Sequence, residues 1–273
     1  MAIRPIFTIH GCRGSFPVLG PQYRVYGGHT TCLSIETGRG LVIIDAGTGI
    51  ASAARRLMAR RKRLPITILF THFHLDHIIG LPSFTPLLRP GSVITVMASR
   101  RVFGDWRGIL RTFGREPFWP VNLLDGSGRV RMADLPAGAL DLYGITIRHC
   151  ANRHPQGGLS YRVESPGRTI VVATDRELGD PERDAEFLRF AGGADVLIHD
   201  GQYTPMEYRA RRGWGHSTWK DAARVARRLG VTELVLTSHD PDRTDAAVNA
   251  LVRQARRIFP RTRAARCGMR LAG

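Results

Sequence analysis

Seven consecutive residues, Thr71-His72-Phe73-His74-Leu75-Asp76-His77, constrain this chain more than any other stretch. They follow the apolar run Ile66 to Phe70, which is bounded by Pro65 and reads as a buried strand. The next residues, Ile78-Ile79-Gly80-Leu81-Pro82, read as a short helical turn leading into a loop. A chain that leaves a strand and turns into a helix here lets His72 and His74 converge on one cation, while Asp76 and His77 face a second point close by. Neutral imidazole and carboxylate are the ligands that Zn²⁺ and other borderline divalent metals prefer. Unpaired surface histidines are the competing reading. They account for one His-x-His, but poorly for four ligand-type residues directly after a buried strand.

At 273 residues and 43% hydrophobic content the chain can bury an ample core, as one large domain or as a sandwich of two similar halves. No linker interrupts the pattern, so a single domain over residues 1–273 is expected. No run approaches the length of a membrane span, and Met1-Ala2-Ile3-Arg4-Pro5 does not open like a signal peptide. Cys12, Cys32, Cys150 and Cys267 are widely spaced and form no Cys-x-x-Cys pair. Reduced, mostly buried thiols of a cytoplasmic protein without a membrane partner are the expectation.

A net charge of +17 points towards nucleic acid. Only Lys62 and Lys220 among the 40 basic residues are lysines, however, a skew that looks like GC-rich coding bias. The densest run, Arg55-Arg56 to Arg60-Arg61-Lys62-Arg63, falls at the end of an expected helix, where it can be a solvated face near the negative dipole end.

Along the chain, strands are expected at Ile6–Ile9, Cys32–Glu36, Leu41–Ile44, Val93–Met97, Leu159–Glu164, Thr169–Ala173, Val196–Ile198 and Leu234–Leu236. Helices are expected at Ile50–Arg60 with Thr48 as cap, near Val102–Phe113, and at Glu182–Phe190, Trp219–Leu229 and Ala246–Ile258. Strands alternating with helices in two halves imply a four-layer α/β sandwich.

The His-x-His-x-Asp-His element after a strand resembles the metal-binding signature of the metallo-β-lactamase superfamily. The resemblance implies an αββα sandwich with a two-metal site at one edge of its sheets. His154, shortly before Leu159-Ser160-Tyr161-Arg162, resembles the family's third ligand histidine; His149 is a nearby competitor placed inside the preceding strand. Asp175, at a strand end, resembles the bridging aspartate, and His239, ending the last long strand, resembles the final ligand. The implied set is His72, His74 and His154 on one metal and Asp76, His77 and His239 on the other, with Asp175 between. Asp45, in Asp-Ala-Gly, resembles the family aspartate that orients a ligand histidine. Zn²⁺ is the default metal, and Mn²⁺ or Fe²⁺ suits the same ligands.

Two further segments resemble the phosphodiesterase and RNase Z-like branch. Ile198-His199-Asp200-Gly201-Gln202 resembles a His-Glu-Ala-Thr segment, with Asp200 in the glutamate position, and Gly215-His216-Ser217-Thr218 resembles a His-Ser-Thr loop. In that branch the acid and the loop histidine help donate a proton to the leaving oxygen, which gives Asp76, His216 and Asp200 catalytic roles. Asp200 is one methylene shorter than glutamate, so its reach to His216 is a point to test. Ser217 as a simple helix N-cap is the bland alternative. Arg13 and Ser15 are candidates for reaching a phosphate.

What this implies is a hydrolase whose metal-bridged hydroxide attacks a small or cyclic phosphodiester, such as a cyclic nucleotide or a cyclic sugar phosphate. The alternative is an RNase Z-like endoribonuclease acting on tRNA precursors. Those enzymes carry a protruding Gly- and basic-rich arm, and no comparable insertion follows residue 160. A glyoxalase II-like thioesterase leaves the Asp200–His216 pair unexplained, and a β-lactamase is disfavoured by Asp175. His74, where flavodiiron sites place glutamate, speaks against redox use, and a proton donor beside the ligands speaks against a non-catalytic metal scaffold. Homodimerisation is implied by the resemblance alone.

Overall fold

The computed structural model describes residues 4–59, 63–124 and 129–271. The basic residues Arg60, Arg61 and Lys62 and the opening Met1-Ala2-Ile3 lie outside the described residues. In chain order the strands are β1 Ile6–Gly11, β2 Cys32–Glu36, β3 Leu41–Ile44, β4 Ile66–Leu69, β5 Val93–Ala98, β6 Arg129–Asp134, β7 Leu140–Leu142, β8 Ile145–Asn152, β9 Gly158–Ser165, β10 Arg168–Ala173, β11 Val196–Asp200, β12 Glu233–Thr237, β13 Thr262–Ala264 and β14 Met269–Leu271. The α-helices are α1 Ile50–Met58, α2 Leu75–Ile78, α3 Arg100–Phe103, α4 Trp106–Phe113, α5 Pro181–Ala191, α6 Pro205–Arg209, α7 Trp219–Leu229 and α8 Asp245–Arg256. No helix among the described residues is long and apolar enough to cross a membrane.

The strands form two seven-stranded sheets, ordered β14-β1-β2-β3-β4-β5-β6 and β13-β12-β11-β10-β9-β8-β7. The period of two along a strand explains the layering. Val42 and Ile44 point into the space between the sheets, where they join Tyr161, Val163, Ile170, Val172, Val196 and Ile198 of the second sheet in one core. Ile43 and Ile68 point the other way, onto Ile50 and Ala54 of α1 and Trp106 and Leu110 of α4. Leu197 and Leu234 likewise face outward onto Phe187 of α5, Ala222, Ala223 and Ala226 of α7 and Ala255 of α8. Both faces of the central strands are thus covered, which is why runs such as Leu41-Val42-Ile43-Ile44 are apolar at every position. The result is the αββα sandwich.

Several local expectations are corrected. The helix expected near Val102–Phe113 is two helices, α3 and α4, because Gly104 takes φ 58° and the Asp105 carboxylate caps the second by accepting from Gly108 N at 3.0 Å. Thr48 does not cap α1. Its Oγ1 accepts from Thr30 N while its own N donates to Thr30 Oγ1, both at 2.9 Å, so the pair ties two loops together. Ser217 is not a cap either. That role belongs to Thr218, which accepts from Asp221 N at 3.1 Å, while Ser217 Oγ donates to Arg176 O at 2.6 Å.

β3, β4 and β5 run parallel, as do β10, β11 and β12, so their carboxyl ends lie at one edge of each sheet. Ligand sites of α/β proteins form where strands end in this way. Asp45, the His72–His77 loop, Asp175, Gly201 and His239 all follow such ends.

Candidate metal centre

The loop after β4 is held from below by one buried carboxylate. Asp45 accepts from Thr71 N and from Thr71 Oγ1, each at 2.7 Å, and its Oδ2 lies 2.8 Å from His77 Nδ1. Asp45 takes φ 61°, Asp175 φ 49°, Ser238 φ 55° and Ser15 φ 61°. Left-handed backbone at four non-glycine positions around one site is strain that the surrounding structure maintains.

The hydrogen bonds fix the tautomers, because a carbonyl or carboxylate oxygen can only accept. His77 gives its Nδ1–H to Asp45, His154 gives its Nδ1–H to Gly215 O at 3.1 Å, and His239 gives its Nε2–H to Ala265 O at 3.0 Å. With the Thr71 hydroxyl donating to Asp45, His72 Nδ1 at 3.1 Å donates to that hydroxyl oxygen. Each ring therefore offers its other nitrogen. Gly215 is required here, since it takes φ 88° and a Cβ would overlap the His154 ring.

Those nitrogens converge. His72, His74 and His154 form one group of ligand atoms and His72, His77 and Asp175 a second, each within 4.8 Å. His154 Nε2 stands 3.0 Å from His74 Nδ1. His72 Nε2 and His77 Nε2 are buried without a hydrogen-bond partner, 3.6 Å and 3.2 Å from Asp175 Oδ2. Lone pairs of imidazole and carboxylate aimed at one another need a positive charge between them. The residues present fit a divalent cation.

Asp76 borders the second group, 3.4 Å from His77 Nε2, and is held by Ser15 N at 2.8 Å. Asp76 and His239 are the two expected ligands that these groups leave out among the described residues, and His239 lies the further from them in its contacts. It stands next to Ser238, whose Oγ donates to Asp175 Oδ1 at 3.0 Å, with its ring edge-on to Tyr26. His149 faces away, 2.9 Å from Pro136 O. Arg13 does not reach the site. It is fully buried, and its Nε and Nη1 donate to Gly27 O, Asp240 O and Arg243 O.

Burial shapes the protonation. It pushes His154 and His239 down to about 4 and lowers His72 and His74, so these rings are neutral at physiological pH. Burial opposes charge on His77 too, but Asp76, Asp175 and Asp45 outweigh it and raise His77 well above its usual value. Without a cation, His77 carries the charge that the carboxylates demand.

Asp200 and His216 lie beside this cluster. His216 Nδ1 is 2.6 Å from Asp200 Oδ2, and both group with Asp175. The shorter side chain does reach, because Asp200 Oδ1 also draws in Ser217 N at 3.0 Å and Gln202 N at 3.1 Å. Burial would lower His216, but Asp200 and Asp175 raise it to about 9. A cavity of about 570 Å³ opens over the cluster, lined by His74, Asp76, Asp175, His216, Tyr203 and Trp214 among others.

Sequence reasoning missed Glu177. Its buried carboxylate accepts from Gly213 N at 2.8 Å, Gly215 N at 3.0 Å and Tyr208 OH at 2.8 Å, which fastens the loop carrying His216. Nothing in Asp175-Arg176-Glu177 signals a partner more than 30 residues away.

The profile of the Beta-lactamase superfamily domain matches residues 41–239. The ribonuclease Z of Lactococcus lactis subsp. cremoris (strain MG1363) is 29% identical over 260 residues, covering 78% of this chain and 84% of that protein. The metallo-beta-lactamase fold protein YhfI from Bacillus subtilis superposes with a TM-score of 0.76 at 19% identity, covering 99% of this chain and 100% of that one. A diphosphatase from the PhnP family does so with a TM-score of 0.73 at 20% identity, covering 99% and 98%. With the αββα fold and the histidine–aspartate cluster at its edge, these similarities make the chain a member of the metallo-β-lactamase superfamily.

Proposed function

We propose that this protein is a divalent-metal-dependent phosphodiesterase that cleaves a small or cyclic phosphodiester. The observation that carries the reading is the 2.6 Å Asp200–His216 pair standing against the cluster at Asp175. His72, His74 and His154 would hold one cation and Asp76, His77 and His239 the other, with Asp175 between them. Zn²⁺ is the first candidate, and Mn²⁺ or Fe²⁺ suits the same donors. Bound cations supply an activated water and neutralise phosphodiester charge. The protein's own residues do the rest. Asp45 orients His77, Gly215 O orients His154, and Ala265 O orients His239. With Nδ1 committed to Asp200, His216 offers Nε2–H to the leaving oxygen, and Asp200 stabilises the protonated ring until transfer.

An RNase Z-like endoribonuclease is the second reading, supported by the curated relatives and by the charge of +17. Against it, β9 and β10 are joined by two residues, Pro166 and Gly167, and no arm leaves the chain there.

The test is turnover of bis(p-nitrophenyl) phosphate by protein loaded with Zn²⁺ or Mn²⁺, beside a thioester and a β-lactam. A panel of cyclic nucleotides and tRNA precursors follows. Diester cleavage that is abolished by chelation and by Asp76→Ala is expected. Thioester cleavage by the metallated protein without diester cleavage would overturn the reading. Cleavage of tRNA precursors with cyclic diesters untouched would favour the endoribonuclease.

A further inference from the structure

The cavity over the cluster has one wall that neither the metal ligands nor the proton donor explains. Trp214 stands in it with 59% of its surface exposed, whereas Trp106 and Trp219 are buried. Its exposure does not come from a loose loop. The amides on either side of it, Gly213 N and Gly215 N, are both held by the buried Glu177 carboxylate, and both glycines take the left-handed conformation that this tight path requires. Trp214 N also donates to Arg211 O at 3.2 Å. The backbone is pinned while a large flat side chain is held towards solvent at the mouth of the cavity.

Arg211 adds a cation to the same wall. Its guanidinium lies 5.2 Å from the centre of the Tyr203 ring and 6.0 Å from that of Trp214. Tyr203 is itself buried and packs edge-on against His216 at 5.6 Å. Indole, guanidinium and phenol therefore form one continuous surface that runs to the proton donor.

Resting on the phosphodiesterase reading above, we propose that Trp214 and Arg211 form a subsite for a nucleobase on the leaving side of the substrate. His216 protonates the leaving oxygen, so the departing group lies beside His216, and Trp214 is two residues from it on the same fastened loop. A flat heteroaromatic ring gains from an indole face and from a neighbouring guanidinium, whereas a short alkyl group gains little. The substrate class that follows is a diester whose leaving oxygen belongs to a nucleoside.

The experiment uses the metal-loaded full chain and two diesters that differ only in the base: adenosine 2′,3′-cyclic phosphate and methyl riboside 2′,3′-cyclic phosphate. Trp214→Ala is expected to raise KM for the adenosine diester about ten-fold, the range of stacking on one aromatic side chain. Trp214→Phe retains most of the affinity, and KM for the methyl riboside diester does not move. Binding is read separately: adenosine 5′-monophosphate quenches tryptophan fluorescence in the wild type but not in Trp214→Phe, and ribose 5-phosphate quenches neither. Equal effects of Trp214→Ala on both diesters would mean that the indole holds the sugar, which overturns the proposal. No effect on either, with no quenching, overturns it while leaving phosphodiester turnover intact. Quenching by adenosine 5′-monophosphate in a protein that cleaves no diester supports the subsite and defeats the phosphodiesterase reading instead.

Discussion

His216 and Asp200 separate what a metal cluster does from what a phosphodiesterase needs. An alkoxide leaves poorly without a proton, whereas p-nitrophenolate leaves unaided. His216→Ala is therefore expected to lower kcat on an alkyl or nucleoside diester by about 10²–10⁴-fold and to spare bis(p-nitrophenyl) phosphate by comparison. Asp200→Asn should follow the same pattern less severely, because the amide still accepts from Ser217 N and Gln202 N but no longer stabilises the imidazolium. Equal losses on both substrates would show that the pair only maintains the cluster. His216 was readable from Gly215-His216-Ser217-Thr218 because a family motif marks it. Glu177 was not, because two of its three partners are backbone amides, which leave no trace in residue identity, and the third, the Tyr208 hydroxyl, lies 31 positions away.

At the scale of elements, the loop between α6 and α7 carries both His216 and Trp214, and Glu177 is what keeps it in place. Burial would raise the Glu177 carboxyl, but bonds from Gly213 N, Tyr208 OH and Gly215 N hold it below its usual value. Gly213 N binds Oε1 and Gly215 N binds Oε2. Glu177→Gln offers only one oxygen, so either the exposed Gly213 N or the buried Gly215 N must lose its acceptor, at up to about 1–3 kcal/mol. A urea melt of that size of destabilisation, with slower turnover of diesters that need protonation, is the expected result. Unchanged turnover despite lowered stability would show that the loop keeps its shape without Glu177. Element boundaries came from the sequence unevenly. α7 was expected where it stands, since Trp219–Leu229 carries an amphipathic pattern. β13 and β14 were not expected, since three-residue segments such as Thr262-Arg263-Ala264 carry too little pattern to read.

The whole molecule stores buried neutral histidines outside the histidine–aspartate cluster. Burial, helped by Arg56, pushes His10 down to about 4, and burial pushes His199 to the same value. In the unfolded chain such rings titrate near 6.5, so between that value and about 4 the unfolded state binds more protons. Stability must fall as pH falls through this window, by about 1.4 kcal/mol per pH unit for each histidine. His10→Asn is expected to shrink the loss between pH 7 and 5 by about 2 kcal/mol in urea unfolding. An unchanged slope would mean that His10 is reached by water and titrates as in the open chain.

The sequence by itself determined the layers and the chemistry type. Short β-branched apolar runs such as Leu41-Val42-Ile43-Ile44 read as strands covered on both faces, and His72, His74, Asp76 and His77 share a loop that concentrates ligand atoms. Both are local facts, readable from spacing. Tertiary structure alone decided which nitrogen each histidine presents, that Arg13 is a buried strut, that Asp200 reaches His216, and that Glu177 pins Trp214 at the cavity mouth. Those outcomes depend on hydrogen bonds between residues tens to hundreds of positions apart, and their energies exist only once the two sheets have closed on one another.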